Sequence, residues 1–247
     1  MLSKKSENKV KILGVRVDST SLEKVLKEIL RRIEKRQKTV IFTPNPEFLV
    51  FAKQNLGFKK LLNSADFSLP DGVGLVWAAK ILGRPLKGRV AGADLVEELL
   101  KLANERSWRV GIVGARRGAG SQRRQQLEIL KQKYPRAKIA CLEDVSNWEE
   151  QRWEIVLACQ GMERQEDWIA KNLNKIPAVV FIGVGGSLDY LTGFVPRAPF
   201  FIRKIGFEWL FRLLIQPWRW RRQLALIKFI LLVILEKLSL INFETQP

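Results

Sequence analysis

The chain has 247 residues and not one histidine. That absence removes Ser-His-Asp triads, HExxH zinc sites, histidine general bases and histidine-ligated haem together. Cysteine is almost as scarce. Cys141 and Cys159 are the only two, and they lie too far apart for a CxxC pair. Neither a disulfide framework nor a cysteine-rich zinc site is expected. A reduced, cytoplasmic setting is the default. The first eleven residues are polar and basic, so no signal peptide is read there. GxGxxG and GxxxxGK[ST] are both missing, which leaves dinucleotide and P-loop sites without their fingerprints. There is no DxD pair either, an argument against a site organised by a divalent metal. No metal ligands and no cofactor are expected.

Positive charge is plentiful. Lys plus Arg number 43 against 25 Asp plus Glu, a net charge of +18. A chain this basic meets something anionic: nucleic acid, an acidic membrane surface or a phosphate-bearing substrate. At 47% hydrophobic residues it also buries a sizeable core.

Apolar runs predict strands at Val10–Val17, Lys38–Phe42, Trp108–Val113, Lys138–Leu142, Glu154–Ala158 and Ala178–Ile182. Helical patterns alternate with them. Thr20 and Glu23 suit a capping box before a helix with Leu22, Val25, Leu26, Ile29, Leu30 and Ile33 on one face. Gly72–Leu82 reads as a buried helix and Leu95–Asn104 as an amphipathic one. The alternation predicts an α/β fold, a Rossmann-like, mostly parallel sheet with flanking helices. The composition changes near residue 195. Residues 1–195 read as the α/β core, and 196–247 as a basic, aromatic helical appendage.

In open α/β sheets ligands bind at the carboxyl ends of strands. Four such ends carry unusual residues: Thr43-Pro-Asn45, Gly114–Gly120, Gly161 through Gln165-Glu166, and Gly183–Gly186. Gly114–Gly120 follows a strand and opens a helix. It is either an anion cradle of free backbone N–H groups or a tight turn. Gly183–Gly186, with Gly185 and Gly186, allows close approach to a ligand or to a helix. Asp71, before Gly72, is either a turn residue or a general base. Without histidine, base chemistry falls to Asp, Glu or Lys. In the appendage, Arg203, Arg212, Arg219 and Arg222 alternate with Phe207, Trp209, Trp218 and Trp220. That mixture suits nucleic acid or a membrane interface. Leu224–Ile241 favours the membrane. It would be about 27 Å long as a helix, but Lys228, Glu236 and Lys237 make it a poor span. It reads as an interfacial helix, with a core helix as the plain alternative.

These stretches together resemble the WecG/TagA/CpsF family of bacterial glycosyltransferases. The resemblance rests on Thr43-Pro-Asn-Pro-Glu47, Pro70-Asp-Gly-Val-Gly74, Arg89-Val-Ala-Gly-Ala-Asp94 and Gln165-Glu166-Asp-Trp168. It continues through Gly183-Val-Gly-Gly-Ser-Leu-Asp189, Arg197-Ala-Pro199 and Gly206-Phe-Glu-Trp-Leu210. It covers roughly residues 10–222. It implies metal-independent, inverting transfer of N-acetylmannosamine or a related sugar from a UDP-sugar. The implied acceptor is N-acetylglucosamine on undecaprenyl diphosphate, in cell-surface polysaccharide or teichoic acid synthesis. By the same resemblance Asp71 is the general base, Thr43 and Asn45 line the sugar pocket, and Arg89 is a positioning residue. Gln165 lies on the nucleotide side with Gly114, Gly185 and Gly186, and Arg212, Arg219 and Arg222 meet the diphosphate. The appendage would associate with the membrane, and the implied location is peripheral, at the inner face of the cell membrane. The partners are then a UDP-sugar, a polyprenyl-diphosphate-linked acceptor and an anionic membrane surface, not nucleic acid. A homo-oligomer is compatible with all of this. Two departures stand out. The stretch from Cys141 to Cys159 is short and lacks the family's His-Gly-Tyr-like cluster, and Glu163-Arg164 stands where the family has Pro-Lys. Two rivals remain at this point: a nicotinamide-dependent oxidoreductase, and a catalytically degenerate, basic membrane-surface protein of the same fold.

Overall fold

A computed structural model describes residues 9–115 and 120–244, apart from the side chains of 204, 219, 221, 222 and 240–244. The elements in chain order begin with β1 (Lys9–Ile12), β2 (Val15–Asp18), α1 (Leu22–Glu34), β3 (Thr39–Phe42), α2 (Pro46–Gln54) and α3 (Leu56–Ser64). Next come β4 (Phe67–Ser68), α4 (Val73–Ile81), α5 (Gly92–Glu105), β5 (Arg109–Val113), α6 (Gly120–Lys133) and β6 (Lys138–Cys141). The chain finishes with β7 (Trp153–Ala158), α7 (Arg164–Asn172), β8 (Ala178–Gly183), α8 (Ser187–Leu191), α9 (Phe200–Lys204), α10 (Glu208–Ile215) and α11 (Trp220–Glu244).

Six strands form one sheet in the order β4-β3-β8-β7-β5-β6. Every pairing within it is parallel. A parallel sheet is covered on both faces, so its strands are apolar throughout and alternate residues enter opposite cores. β8 does this in sequence. Val180 and Ile182 enter the core shared with α1, α5 and α6, while Phe181 enters the one shared with α2, α3 and α7. All six residues of β8 are buried.

Four expectations need correction. Val10–Val17 is not one strand but the antiparallel hairpin β1-β2, outside the main sheet. Leu13 and Gly14 turn it, with φ of 51° and 80°, the left-handed pair that a two-residue hairpin requires. The cap of α1 is Ser21, whose side chain accepts from the Lys24 N–H. Thr20 and Glu23 therefore form no capping box. α4 is only partly buried: Leu75, Ala78 and Ala79 face the core, whereas Trp77 is 55% and Ile81 47% exposed. α5 begins at Gly92 rather than Leu95.

The C-terminal helices return to the sheet domain. α11 packs on α2 and α4. Phe229 and Val233 are buried in the core beside Phe48 and Leu75. Glu236 accepts a hydrogen bond from the Leu13 N–H at 2.8 Å. The other side of the same helix leaves Ile227, Leu231, Ile234 and Leu235 exposed. The helix is thus a core element on one face and an apolar surface on the other.

Candidate functional site

A cleft of about 1290 Å³ runs along the carboxyl ends of the strands. It is larger than the roughly 300–1,000 Å³ of ordinary small-molecule sites. Thr43, Asn45, Asp71, Arg89, Gly114, Gln165, Gly185, Gly186 and Arg212 all line it. Nine of the expected residues, scattered over 170 positions of sequence, therefore meet in one place. Arg219 sits in the turn Pro217–Arg219 and Arg222 near the start of α11, but their side chains lie outside the described residues. So do Arg116 to Ala119, the middle of the expected anion cradle.

β3 delivers the first group. Thr43, at its end, donates from Oγ1 to the Gly183 carbonyl at 3.2 Å, tying β3 to β8. Asn45 caps α2: its Oδ1 accepts from the N–H groups of Glu47 and Phe48. Its Oδ1 is thereby committed to the backbone, and its amide nitrogen is the group left to meet a ligand. Asp71 follows β4. Its N–H donates to the Pro44 carbonyl at 2.9 Å, and the Val90 N–H donates to the Pro70 carbonyl at 2.9 Å. Those two backbone bonds set Asp71 and Arg89 beside the end of β3.

Burial pushes the Asp71 carboxyl up to about 6. The negative charge of Glu208 adds to the rise, and Arg89 and the Gly92 N–H oppose it. A carboxylate that titrates there is ionised at neutral pH yet holds a proton better than an ordinary aspartate, as a general base should.

The residues expected on the nucleotide side are already committed to neighbours. Gln165, at the start of α7, accepts from the Gly185 N–H at 2.8 Å and donates to Glu166 at 2.6 Å. It shapes the β8 turn. Glu166 is fully buried, accepts from the Glu163 N–H, and is pushed up to about 7 chiefly by burial. Gly114 has φ of 71°, and a Cβ there would stand 2.3 Å from Gln160 Cγ, so only glycine suits this strand end. Its N–H donates to the Glu143 carboxylate at 2.7 Å. The expectation of a free amide for an anion is therefore corrected at Gly114.

Three contributors are assigned no site role by the sequence, although Arg197 and Glu208 lie in stretches that carry the family resemblance. Glu208, the first residue of α10, pairs with Arg89 at 3.2 Å. Arg197 reaches Asp94, Glu97 and Glu208. Tyr190 carries the Arg212 guanidinium 4.8 Å from its ring centroid. All three line the cleft. Among the described residues, no group of three or more His, Cys, Asp or Glu side chains is placed to hold a metal ion.

One family model matches residues 10–242, almost the whole of the chain that carries the sheet and the cleft. The chain belongs to the glycosyl transferase WecG/TagA/CpsF family, and it is a glycosyltransferase. Among curated relatives, a protein of Bacillus spizizenii is 36% identical over 211 residues, which is 82% of this chain and 81% of the relative. One of Bacillus subtilis is 31% identical and one of Staphylococcus aureus 32%, each covering 87% of this chain and 86% of the relative. All three are named N-acetylglucosaminyldiphosphoundecaprenol N-acetyl-beta-D-mannosaminyltransferase.

Proposed function

We propose that this enzyme transfers N-acetylmannosamine or a closely related sugar from a UDP-sugar to N-acetylglucosamine on undecaprenyl diphosphate. The transfer inverts the anomeric centre and uses no metal. A β-linked product, as the relatives' names specify, arises from an α-linked nucleotide donor by inversion. That needs a single base. The ionised Asp71 takes the proton of the acceptor hydroxyl while its oxygen attacks C1 from the face opposite UDP. The C1–O bond to the diphosphate breaks, and UDP leaves with the electron pair. Asp71 then loses its proton to solvent. Arg89, Arg164 and Arg212 line the cleft and offer guanidinium forks to the negative charge that develops on the diphosphate.

The observation that carries this reading is the mixed lining of one cleft. Asp71, Arg89 and the glycine turns line it, and so do Trp77, Ile81, Trp218, Leu226, Phe229 and Ile230. Apolar side chains sharing a cleft with a buried carboxylate and arginines suit an acceptor whose head is a sugar diphosphate and whose tail is a polyprenyl chain. Phe200, Phe201, Leu214 and the outer face of α11 are exposed, and with the basic residues around Trp218 they suit an anionic membrane surface. No helix among the described residues is long and apolar enough to cross a membrane. The enzyme would work peripherally, at the inner face of the cell membrane.

The test is a donor panel. The purified chain receives a short-chain lipid-diphosphate-N-acetylglucosamine acceptor and each of several UDP-sugars, and UDP release is followed. Fastest release with UDP-N-acetylmannosamine supports the reading. Release with none of the donors overturns it. The rate should rise with pH through about 6 and then level off, as Asp71 ionises.

A further inference from the structure

We propose that Glu208, although it belongs to the C-terminal helices, is a positioning residue for the base. It engages Arg89 and Arg197 across the join between α10 and the sheet domain, so that Arg89 does not pair with Asp71 and Asp71 stays ready to accept a proton. The inference rests on the role given to Asp71 above.

The geometry begins at Gly206. Its φ is 86°, and a Cβ there would stand 2.8 Å from Val73 Cγ1. Val73 opens α4 two residues after Asp71. The turn into α10 is therefore seated directly on the turn that carries Asp71, and no larger residue fits between them. Glu208 follows two residues later and faces the same cleft as Asp71 and Arg89. One carboxylate oxygen lies 3.2 Å from Arg89 Nη1 and the other 3.8 Å from Arg197 Nε.

The charged and titratable groups around Asp71 come from four directions. Glu208 lies on α10, Arg89 precedes α5, Asp94 and the Gly92 N–H belong to α5, and Tyr190 is on α8. Arg89 alone would hold Asp71 firmly ionised and weakly basic. Glu208 offsets that cation, and burial then raises the carboxyl. A sheet domain without α10 in place would keep Asp71 but lose the part of its proton affinity that Glu208 supplies, burial being the larger cause. Turnover is thereby coupled to the seating of the C-terminal helices.

The experiment is an NMR pH titration of the full chain carrying ¹³C-carboxyl aspartate. The Asp71 signal is the one lost in Asp71→Asn. Wild type should titrate near 6. Glu208→Gln should lower the midpoint by about one pH unit or more, and Glu208→Asp should restore it. The acid limb of kcat/KM should move the same way, with kcat falling and donor KM held. An unchanged midpoint in a folded Glu208→Gln overturns the proposal. Should that variant fail to fold, Arg89→Gln carries the test. It leaves Glu208 facing Asp71 without the cation, so the midpoint must rise above wild type, and no rise overturns the coupling. The titration needs no substrate. A shifted midpoint without UDP release from any donor would remove the transferase reading and keep the coupling. UDP release with an unshifted midpoint would do the reverse.

Discussion

The two walls of the cleft are built on different principles. The sheet wall is made of polar groups already satisfied by one another: Thr43 on the Gly183 carbonyl, Asn45 on the start of α2, Gln165 between Glu166 and the Gly185 N–H. Such a network keeps its shape with or without a ligand. The opposite wall is α10, which has no fully buried residue. It is held by the Arg89–Glu208 pair, by Arg197, and by Arg212 against Tyr190. The side chains of those ion pairs are only about one fifth exposed, but with no fully buried residue on α10 this wall rests on polar contacts more than on apolar packing. On the proposed function, the sheet side would receive the donor and the C-terminal side the acceptor.

The largest expected effect lies where the walls meet. Asp71→Asn should lower turnover by about 10²–10⁴-fold, with UDP binding kept. Its stability should move the other way. The folded carboxyl titrates near 6, above its ordinary 3.8, so between those values the folded protein holds more proton than the unfolded chain. That contribution is complete at low pH and is lost as pH rises through about 6. At pH 8 the variant should melt at the same or a higher temperature. Near-wild-type turnover would make Asp71 a turn residue and move the base to another carboxylate of the cleft, such as Glu47 or Asp189.

A second test separates the two faces of α11. Phe229 is fully buried, and Leu231, two residues on, is 57% exposed, about 200° further round the helix. Phe229→Ala should cost about 3–5 kcal/mol in urea unfolding. Leu231→Glu should cost less than about 0.5 kcal/mol while reducing co-sedimentation with anionic vesicles. Equal costs at both positions would mean that α11 is core all round.

Arg212 sharpens the difference between the walls from the C-terminal side. It reaches over the core: a Cβ on Gly186 would stand 3.4 Å from its Nη2. Removing it should lower kcat/KM for the donor by about 10–100-fold, the worth of a charged hydrogen bond to phosphate. Lysine should restore only part of this, since it lacks the planar fork. Full activity of Arg212→Ala would confine diphosphate recognition to the sheet wall.

The sheet wall is the one legible in the sequence. Its strands are short apolar runs punctuated by glycine and proline, and the rule that ligands sit at strand carboxyl ends is enough to group Thr43, Gly114, Gln165 and Gly185, whereas Asp71 joins them only through the family resemblance. The C-terminal wall is not legible in that way. An acidic residue at a helix start, such as Glu208, is ordinarily explained by the helix dipole, and only docking sets it opposite Arg89. A helix apolar nearly all round, such as α11, does not say which face is core. The hairpin is hidden because Val10 to Val17 reads as one strand, although Leu13 takes a left-handed conformation there. The cap of α1 is ambiguous because Thr20 and Ser21 both suit the role and only backbone geometry chooses. Gly114 misleads for a different reason: its N–H is taken by Glu143, 29 residues away in sequence.

The smallest expected effect is that of a chelator. In the proposed reaction UDP gains negative charge as it departs, and something in the site must answer that charge. A divalent ion and a set of guanidinium groups are alternative answers with opposite signatures. Arg89, Arg164, Arg197 and Arg212 line the cleft from both walls, each with a rigid fork suited to phosphate. If they answer the charge, EDTA should leave initial rates unchanged, and added Mg²⁺ or Mn²⁺ should not raise them. Salt should matter instead. Raising ionic strength from about 0.05 to about 0.5 M, a range over which the Debye length falls to roughly a third, should raise donor KM modestly and leave kcat nearly constant. Rates abolished by EDTA and restored by Mg²⁺ or Mn²⁺ would transfer the charge to a metal and reduce the arginines of both walls to positioning groups.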